Sequence, residues 1–177
     1  MTEKNDTSML TEKYIFRNIR QEEITQTAEI EKICFPPNEA CSYEHMEDRV
    51  KKAPELFLVA EDRATGKIAG FLNGLATDRE HLTDDFFTDA EMHDPKGKNI
   101  MLLGLDVLPK YQHQGLAREL VRCYKEREKA NGREKLILTC LPDKVEMYQK
   151  FGFKDHGIGG SVWGGEAWHE MSVELRG

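Results

Sequence analysis

Residues 105–120 constrain the fold more than any other part of the chain. They read LDVLPKYQHQGLAREL, in which an apolar run ends at Pro109, a polar turn with one glycine follows, and an amphipathic helix begins. In that helix Leu116, Leu120 and Tyr124 fall on one face, with the spacing of a helix that packs against a core. The segment therefore predicts a buried strand joined by a tight turn to a helix, a connection found in mixed α/β proteins.

The start of this helix lacks acidic residues, because residues 112–118 contain no carboxylate. A helix N-terminus exposes unpaired N–H donors and a partial positive charge, which Asp, Ser or Glu normally offsets. Lys110 and Arg118 add positive charge here instead. Two interpretations remain open: water satisfies the donors, or an anion such as a phosphate group binds to them.

The rest of the chain alternates between strand and helix patterns. Residues 1–12 read as a flexible tail, and residues 13–177 as a single domain large enough to bury a core. Ser42 suits the N-cap of a helix, and Gly164-Gly165 suits the turn of a closing hairpin. In order, the patterns predict a strand, two helices, three strands, the helix of residues 114–131, a strand, a short helix and two or three strands. This order predicts a mixed α/β fold and not a doubly wound one.

Composition and charge argue against several classes of function. The 177 residues carry a formal net charge of −7, which argues against nucleic acid as a main partner. No apolar run approaches the roughly 20 residues needed to span a bilayer, and residues 1–8 lack the apolar segment of a signal peptide. We therefore expect a cytoplasmic protein without a membrane partner. The four cysteines show no zinc-site spacing, so they predict free thiols and no metal.

The motif Gln112-His-Gln-Gly115-Leu-Ala117, after a strand and at the start of a helix, resembles the GNAT superfamily of acyl-CoA-dependent N-acyltransferases. That superfamily carries an Arg/Gln-x-x-Gly-x-Gly/Ala signature in this setting. The order of elements is similar from about residue 14 to the end, and Tyr148-Gln-Lys-Phe-Gly-Phe153 is similar to an aromatic segment of many members. The resemblance implies the GNAT fold, a mostly antiparallel central sheet that splays between strands 4 and 5, with helices on both faces.

Within the superfamily, the chain is most similar to the arylalkylamine (serotonin-type) N-acetyltransferase branch. This similarity implies that the acceptor is an amine on a small molecule. The matching points are spread over the chain: Cys34–Pro37, Glu39–Ser42, Asp78–Glu80, the eight-residue spacing of Cys140 and Tyr148, and Gly164–Leu175.

The resemblance also implies acetyl-CoA as the acyl donor, with its diphosphate on the N–H groups of residues 112–117. Gly115 and Ala117 would let the phosphates approach the backbone, because larger side chains would hold them away. The backbone of strand 4 would pair with the pantetheine arm at the splay. The implied cofactor contacts are Leu105, Val107, Gln112, His113, Gln114, Gly115, Leu116, Ala117 and Arg118.

Acetyl transfer to an amine requires two proton transfers. An alkylamine has a pKa near 10, so only about one molecule in a thousand is neutral at pH 7, a deficit of roughly 4 kcal/mol. A base or a water chain must remove that proton, and an acid should protonate the departing CoA thiolate. Tyr148 matches the acid position of the family, and the alternative is a packing role on a short helix.

The resemblance does not identify the base. Relatives in the branch place a pair of histidines on strand 4, but the matching positions here are Met101 and Leu103. Strand alternation points Asp106 to the face opposite Leu103 and Leu105, which favours a structural or solvent role for it. Four other residues could feed a water relay, and the base stays unassigned. These four are His93, Glu91, His169 and Glu170.

We therefore expect an N-acetyltransferase in which a primary amine of a small molecule attacks the thioester directly. Phe35 and Pro36, with the acidic residues 77–99, would form an apolar but negatively biased amine pocket. Two alternatives remain: a protein N-terminal or lysine acetyltransferase, which needs an open groove, and an acyl-CoA-binding sensor with little turnover. The sequence leaves open the physiological amine, the acyl chain length and the choice between monomer and homodimer.

Overall fold

A computed structural model describes residues 9–176, which form one seven-stranded sheet with helices packed against it. The strands are β1 Tyr14–Asn18, β2 Phe57–Asp62, β3 Ile68–Thr77, β4 Asn99–Val107, β5 Lys135–Cys140, β6 Lys154–Ile158 and β7 His169–Glu174. Their order in the sheet is β1-β2-β3-β4-β5-β7-β6. All neighbours are antiparallel except β4 and β5, which run parallel. The predicted mixed α/β class is confirmed.

The helices lie between these strands. They are α1 Ile24–Cys34, α2 Tyr43–Lys52, α3 Asp85–Thr88, α4 Leu116–Ala130 and α5 Val145–Lys150. The predicted N-cap of α2 is confirmed, since Ser42 Oγ accepts a hydrogen bond from the His45 N–H at 3.1 Å. Residues 1–8 of the predicted tail lie outside the described residues, whereas residues 9–13 are helical and Leu10 is buried. Across residues 9–176, the structure contains no helix with the length and apolar character of a membrane span.

Helices cover both faces of the sheet, as β2 shows. Leu58 and Ala60 belong to the apolar cluster that includes α4, whereas Phe57 and Val59 belong to the cluster that includes α1 and α2. Since successive side chains of a strand point to opposite faces, the two clusters lie on opposite sides of the sheet. The predicted placement of helices is therefore confirmed.

The sheet divides between β4 and β5. These two strands pair only where Asn99–Met101 meets Lys135–Ile137. Beyond that point β4 stays paired with β3 as far as Val107, and β5 stays paired with β7 as far as Cys140. The facing edges of β4 and β5 are thus left without sheet hydrogen bonds to each other. The predicted splay between strands 4 and 5 is confirmed.

A bulge in β4 changes the direction of its side chains. Leu103 is an extra residue in the pairing of β4 with β3, and such a bulge shifts the alternation by one residue. After the bulge, Gly104 pairs with Asn73 and Asp106 pairs with Phe71. The Asp106 side chain therefore points to the face that α1 and α2 cover, where Phe71 is packed.

The predicted closing hairpin around Gly164-Gly165 is wrong. Trp163–Gly165 form a 3₁₀ turn, residues 161–162 are not in a strand, and β7 pairs with β5 and β6 instead. Gly164 has a φ of 65°, and a Cβ there would lie 2.6 Å from the carbonyl oxygen of Asn38. Gly164 is therefore required by a close contact between two loops. In the sequence, the same Gly-Gly pair looks like the turn of a hairpin.

Candidate active site

A cleft of about 730 Å³ opens where β4 and β5 separate. Its lining comes from the second half of β4, the turn before α4, α5 and the segments around residues 31–41 and 163–168. We call the part lined by residues 111–118 the turn side. The part lined by Glu31, Cys41, Arg49 and Phe87 is the α1 side. The two sides use different chemical groups.

The turn side is shaped by an uncommon backbone conformation. After the 3₁₀ turn Pro109–Tyr111, His113 and Gly115 adopt φ values of 63° and 83°. Residues with a Cβ rarely adopt such values, whereas glycine does so readily. Around a Cβ at Gly115 the nearest atom would be Leu10 Cδ1, at 4.0 Å. The backbone conformation, and not crowding by the protein, therefore requires glycine here.

The first N–H groups of α4 are left without a side-chain cap. The Gln112 side chain instead donates to the Val107 carbonyl oxygen at 3.0 Å. Glu119 is the acid of the first turn, but its carboxylate is taken up by Arg122, whose Nε donates to it at 3.0 Å. Within residues 9–176, the N-terminus of α4 thus keeps its donors and its partial positive charge available to a ligand.

The structure brings almost all predicted cofactor contacts together. The side chain of Gln114 is the exception, because its Oε1 accepts hydrogen bonds from Lys13 Nζ at 3.0 Å and Tyr14 Oη at 2.9 Å. Those bonds tie the turn to the start of β1 and do not contribute to the cleft. The other predicted contacts line it: Leu105, Val107, Gln112, His113, Gly115, Leu116, Ala117 and Arg118.

Tyr148 lines the cleft from α5. Its ring packs edge-on against Phe151 and Phe153, with centroids 6.0 Å and 5.7 Å away. Within residues 9–176 its hydroxyl makes no hydrogen bond to another group. Burial, with smaller contributions from Cys140 and Asp106, raises the pKa of Tyr148 above its usual range. The hydroxyl therefore stays protonated at neutral pH and is available as a proton donor.

The cysteine thiols of the cleft are not ionised at neutral pH. Cys34, Cys41 and Cys140 line it, and all three are free. Burial raises the pKa of Cys34 to about 11 and those of Cys41 and Cys140 to about 12. Since the thiolate is the nucleophilic form, these groups are poor nucleophiles at pH 7. The arrangement favours attack by a bound acceptor without a cysteinyl intermediate.

A pair of buried carboxyl groups lies on the α1 side. Glu31 lines the cleft and is 4% exposed, and Asp106, beside it, is fully buried. A Cβ on Gly104 would lie 3.2 Å from Asp106 Oδ1, 3.3 Å from Asn73 Nδ2 and 3.6 Å from Glu31 Oε1, so these three side chains converge there. Burial and the neighbouring Glu31 raise the pKa of Asp106 well above its usual range. The protonated form of Asp106 is therefore favoured, and its complete burial rules out the solvent role while leaving the structural role expected for it.

Arg49 brings a buried positive charge to the same side. It is 3% exposed and lines the cleft from α2. Its Nη2 donates to the Phe87 carbonyl oxygen at 2.9 Å, whereas Nε and Nη1 have no hydrogen-bond partner among residues 9–176. No carboxylate of that part of the chain lies within ion-pair distance of Arg49. A buried guanidinium is therefore left with unused donors beside the cleft.

Aromatic residues close the α1 side. Phe87 and Trp163 stack with their ring centroids 5.0 Å apart. Trp163 Nε1 donates to the Glu39 carbonyl oxygen at 2.8 Å, and Asn38 Nδ2 donates to the Gly164 carbonyl oxygen at 3.1 Å. These bonds join the loop after α1 to the loop before β7. The α1 side therefore has aromatic walls, and the two loops beside it are joined to each other.

The predicted substrate contacts Phe35 and Pro36 line this pocket, but the acidic residues 77–99 do not. From that segment only Phe87 reaches the lining that the structure describes. The acids instead stabilise the segment and its neighbours. For example, Asp78 accepts from the Lys98 N–H, Asp84 from the Val162 N–H, and Asp89 from the Glu91 N–H, each at 3.0 Å. The negative charge expected from residues 77–99 is therefore wrong, and the carboxylates that line the cleft in the described part of the chain are Glu31, Glu39 and Asp143.

None of the four residues considered for a water relay lines the cleft. His93 is held by its own contacts, accepting from the Ala76 N–H at 3.0 Å and contacting Glu55 at 2.8 Å. Glu91 forms an ion pair with Lys52 on the surface. His169 contacts Asp155 at 3.0 Å, and Glu170 contacts His81 at 2.9 Å. None of these four residues therefore contacts the cleft directly, and the base stays unassigned.

Sequence reasoning missed Glu31, Arg49 and Asp106. Their signal was a charge on an otherwise apolar helix face or strand. In α1, Glu31 lies on the face of Ile24 and Ala28. In α2, Arg49 occupies the buried face next to Val50. Buried charges at such positions are rare unless they are paired or used.

Residues 24–153 match the acetyltransferase (GNAT) family, and the chain belongs to that family. The predicted superfamily is confirmed. A curated Bacillus subtilis (strain 168) protein named "Probable hydrolase YhcX" is 27% identical over 158 residues. That match covers 85% of this chain but only 30% of the relative, so the chain spans less than a third of its length.

Solved structures share the fold at low sequence identity. The loading GNATL domain of CurA from Lyngbya majuscula superposes with a TM-score of 0.79 at 18% identity, covering 92% of this chain and 98% of that one. A phosphinothricin acetyltransferase from Sinorhizobium meliloti, solved in complex with acetyl-CoA, has a TM-score of 0.66 at 14% identity, covering 92% and 89%. These matches do not single out the arylalkylamine branch.

Proposed function

We propose that the protein transfers the acetyl group of acetyl-CoA to a primary amine of a small molecule, with Tyr148 as the general acid. The amine nitrogen forms a bond to the thioester carbon, and the carbon–sulfur bond breaks. Starting from an ammonium group, the acceptor loses two protons, of which one is balanced by the CoA thiol and one is released. Two alternatives, a protein N-terminal or lysine acetyltransferase and an acyl-CoA-binding sensor with little turnover, are distinguished by the test below.

The turn side supports the donor part of the proposal. The first N–H groups of α4 and its partial positive charge suit the diphosphate of CoA. The pantetheine arm would pair with the edge of β4 at Leu105 and Val107, where β5 has separated. Exposed Arg118 and Lys110 add positive charge near the same turn.

The observation that carries the proposal is the Tyr148 hydroxyl. It stands in the cleft at the separation of the two strands, is free of hydrogen bonds within residues 9–176, and has a raised pKa. When the carbon–sulfur bond breaks, the hydroxyl protonates the leaving sulfur and regains a proton from solvent. A purely structural tyrosine would usually bury its hydroxyl against a hydrogen-bond partner.

The joined loops beside the α1 side support a small acceptor over a protein. The hydrogen bonds from Trp163 and Asn38 join two loops across the pocket, so an extended peptide would have to break them. Phe35, Phe87 and Trp163 offer apolar surface for an aromatic or aliphatic group, in keeping with an arylalkylamine-like acceptor. Buried polar side chains, Glu31 and Arg49, also line the same cleft as Tyr148, which favours turnover over a sensor role.

The test is acetyl transfer to a panel of amines and peptides, read by mass spectrometry, with wild type and Tyr148→Phe. We expect Tyr148→Phe to lower kcat about 100-fold or more while its affinity for acetyl-CoA is unchanged. Tyr43→Phe, at an exposed tyrosine of α2, is the matched control. An unchanged kcat in Tyr148→Phe would contradict the acid role. Transfer to peptides alone would favour a protein substrate, and acetyl-CoA binding without any transfer would favour a sensor.

A further inference from the structure

The α1 side holds opposite charges that do not neutralise each other. Most buried side-chain nitrogen and oxygen atoms without a partner in residues 9–176 belong to Glu31, Arg49, Asn73 and Asp106. We propose that the acceptor is an amine that also carries a carboxylate, such as an α-amino acid, with Arg49 binding the carboxylate and Glu31 facing the amino group. This inference rests on the proposed acetyl transfer and names the class of its acceptor.

Arg49 is the stronger of the two observations. A guanidinium with a single hydrogen bond and 3% exposure loses most of its hydration without a compensating anion. Its Nε and Nη1 donors are unused in the described part of the chain, and the residue lines the cleft. A carboxylate accepts strong charge-assisted hydrogen bonds from such donors. A ligand with only an ammonium group would instead bring a second positive charge close to Arg49.

Glu31 is positioned near Arg49 but is not paired with it. The Oε2 of Glu31 accepts from the Cys41 N–H at 3.0 Å, and Cys41 lies in the electric field of both charged groups. Its Oε1 has no donor partner within residues 9–176. An ammonium group would supply the missing donor.

The two groups together discriminate between classes of ligand. A simple amine satisfies Glu31 and leaves Arg49 without an anion, and a simple carboxylic acid does the reverse. An amino acid satisfies both, and one ammonium proton can pass to Glu31 before the neutral nitrogen attacks the thioester. The aromatic walls formed by Phe35, Phe87 and Trp163 would receive the amino-acid side chain. The binding site therefore matches a zwitterion.

The test compares substrates that differ only in the carboxylate. Phenylalanine and phenethylamine, tryptophan and tryptamine, leucine and isopentylamine, and histidine and histamine form four such pairs. With acetyl-CoA saturating, we expect kcat/KM for the better amino acids to exceed that of the matched amine about 100-fold or more. Equal or higher kcat/KM for every decarboxylated partner overturns the inference while leaving the proposed acetyl transfer in place.

Variants of α2 localise the selectivity. In Arg49→Met the ratio of the two kcat/KM values should fall to near one, and Arg49→Lys should restore part of it. Lys51→Met, at an exposed position of the same helix, should keep the wild-type ratio. An Arg49→Met ratio equal to wild type would contradict the assignment of Arg49. If that variant does not fold, the wild-type ratios still decide the inference. Acetyl-CoA binding with no transfer to any member of the pairs or of the wider amine panel would overturn the proposed function itself.

Discussion

The turn side and the α1 side of the cleft are built in opposite ways. The turn side uses backbone groups, namely the N–H donors of α4 behind Gly115, on an exposed loop. The α1 side uses side chains, with Glu31 and Arg49 both at least nine-tenths buried. Backbone donors offer the same chemistry whatever the sequence around them, whereas buried charges specify one pattern of ligand. One side therefore suits a donor shared by a whole family, and the other suits an acceptor particular to this chain.

The largest expected effect tests the turn side alone. In Gly115→Glu, a negative side chain and a Cβ at a φ of 83° oppose the diphosphate and the turn conformation together. We expect the Kd for CoA to rise about 1,000-fold, a loss of about 4 kcal/mol of binding free energy. Isothermal titration calorimetry measures it.

Gly132→Glu is the matched control for that variant. Gly132 has the same φ of 83° at the other end of α4, and a Cβ there would have no atom within 4 Å. It therefore carries the same backbone strain away from the cleft. If Gly132→Glu weakened CoA binding as much as Gly115→Glu, strain in α4 and not the phosphate contact would explain the result.

The next largest effect tests whether Glu31 on the α1 side removes the amine proton without affecting the binding of CoA. Glu31→Gln keeps an oxygen for the Cys41 N–H but removes the proton acceptor. We expect kcat/KM for the amine to fall about 100-fold at pH 7 and to recover partly at higher pH, as more of the amine becomes neutral. The CoA affinity should not change.

A pH–rate profile of the variant and of Glu29→Gln checks this expectation. Glu29 lies on the same helix, where it is exposed and paired with Lys32. Weaker CoA binding in Glu31→Gln would show that the two sides are not independent. A wild-type pH profile in Glu31→Gln would show that another group removes the proton.

The smallest effect concerns the free energy of unfolding that is lost by burying the Asp106 carboxyl group beside the α1 side. The pKa of Asp106 is raised in the folded protein, so its contribution to stability is greatest below its ordinary pKa and is lost as the pH rises towards the folded value. Asp106→Asn removes that dependence. We expect the variant to be about 1–3 kcal/mol more stable than wild type at pH 8, with a smaller difference at pH 4.

Urea unfolding at the two pH values measures this difference, with the exposed Asp48→Asn as control. A destabilised Asp106→Asn at pH 8 would mean that the carboxyl group makes contacts worth more than its desolvation cost. The Asp106 carboxyl group would then stabilise the folded protein.

The same contrast explains what the sequence could reveal. The turn side follows from neighbouring residues, because Pro109 ends the strand and Gly115 allows the left-handed backbone. The order of most strands and helices along the chain follows from local periodicity for the same reason. The pocket predicted from Phe35 and Pro36 was also local, since both lie in the loop that closes it.

The α1 side depends on contacts that periodicity does not contain. Asp106 meets Glu31 only because Leu103 bulges out of β4, and no residue type at Leu103 signals a bulge. Arg49 reaches the cleft from another helix altogether. The Gly164-Gly165 pair suggested a hairpin because the sequence does not show that Asn38 packs against it.

The separation of β4 from β5 has a thermodynamic consequence for the folded chain. Strand edges without hydrogen-bond partners are sites where proteins pair with other chains, and here such edges lie in the middle of a sheet. A pantetheine arm paired with β4, as proposed above, would act as an additional strand and would contribute to folding as well as to chemistry. At a ligand concentration 100 times Kd, the linkage is worth about 2.7 kcal/mol. The concentration of CoA in the cell would then affect the fraction of the protein that is unfolded as well as its rate of turnover.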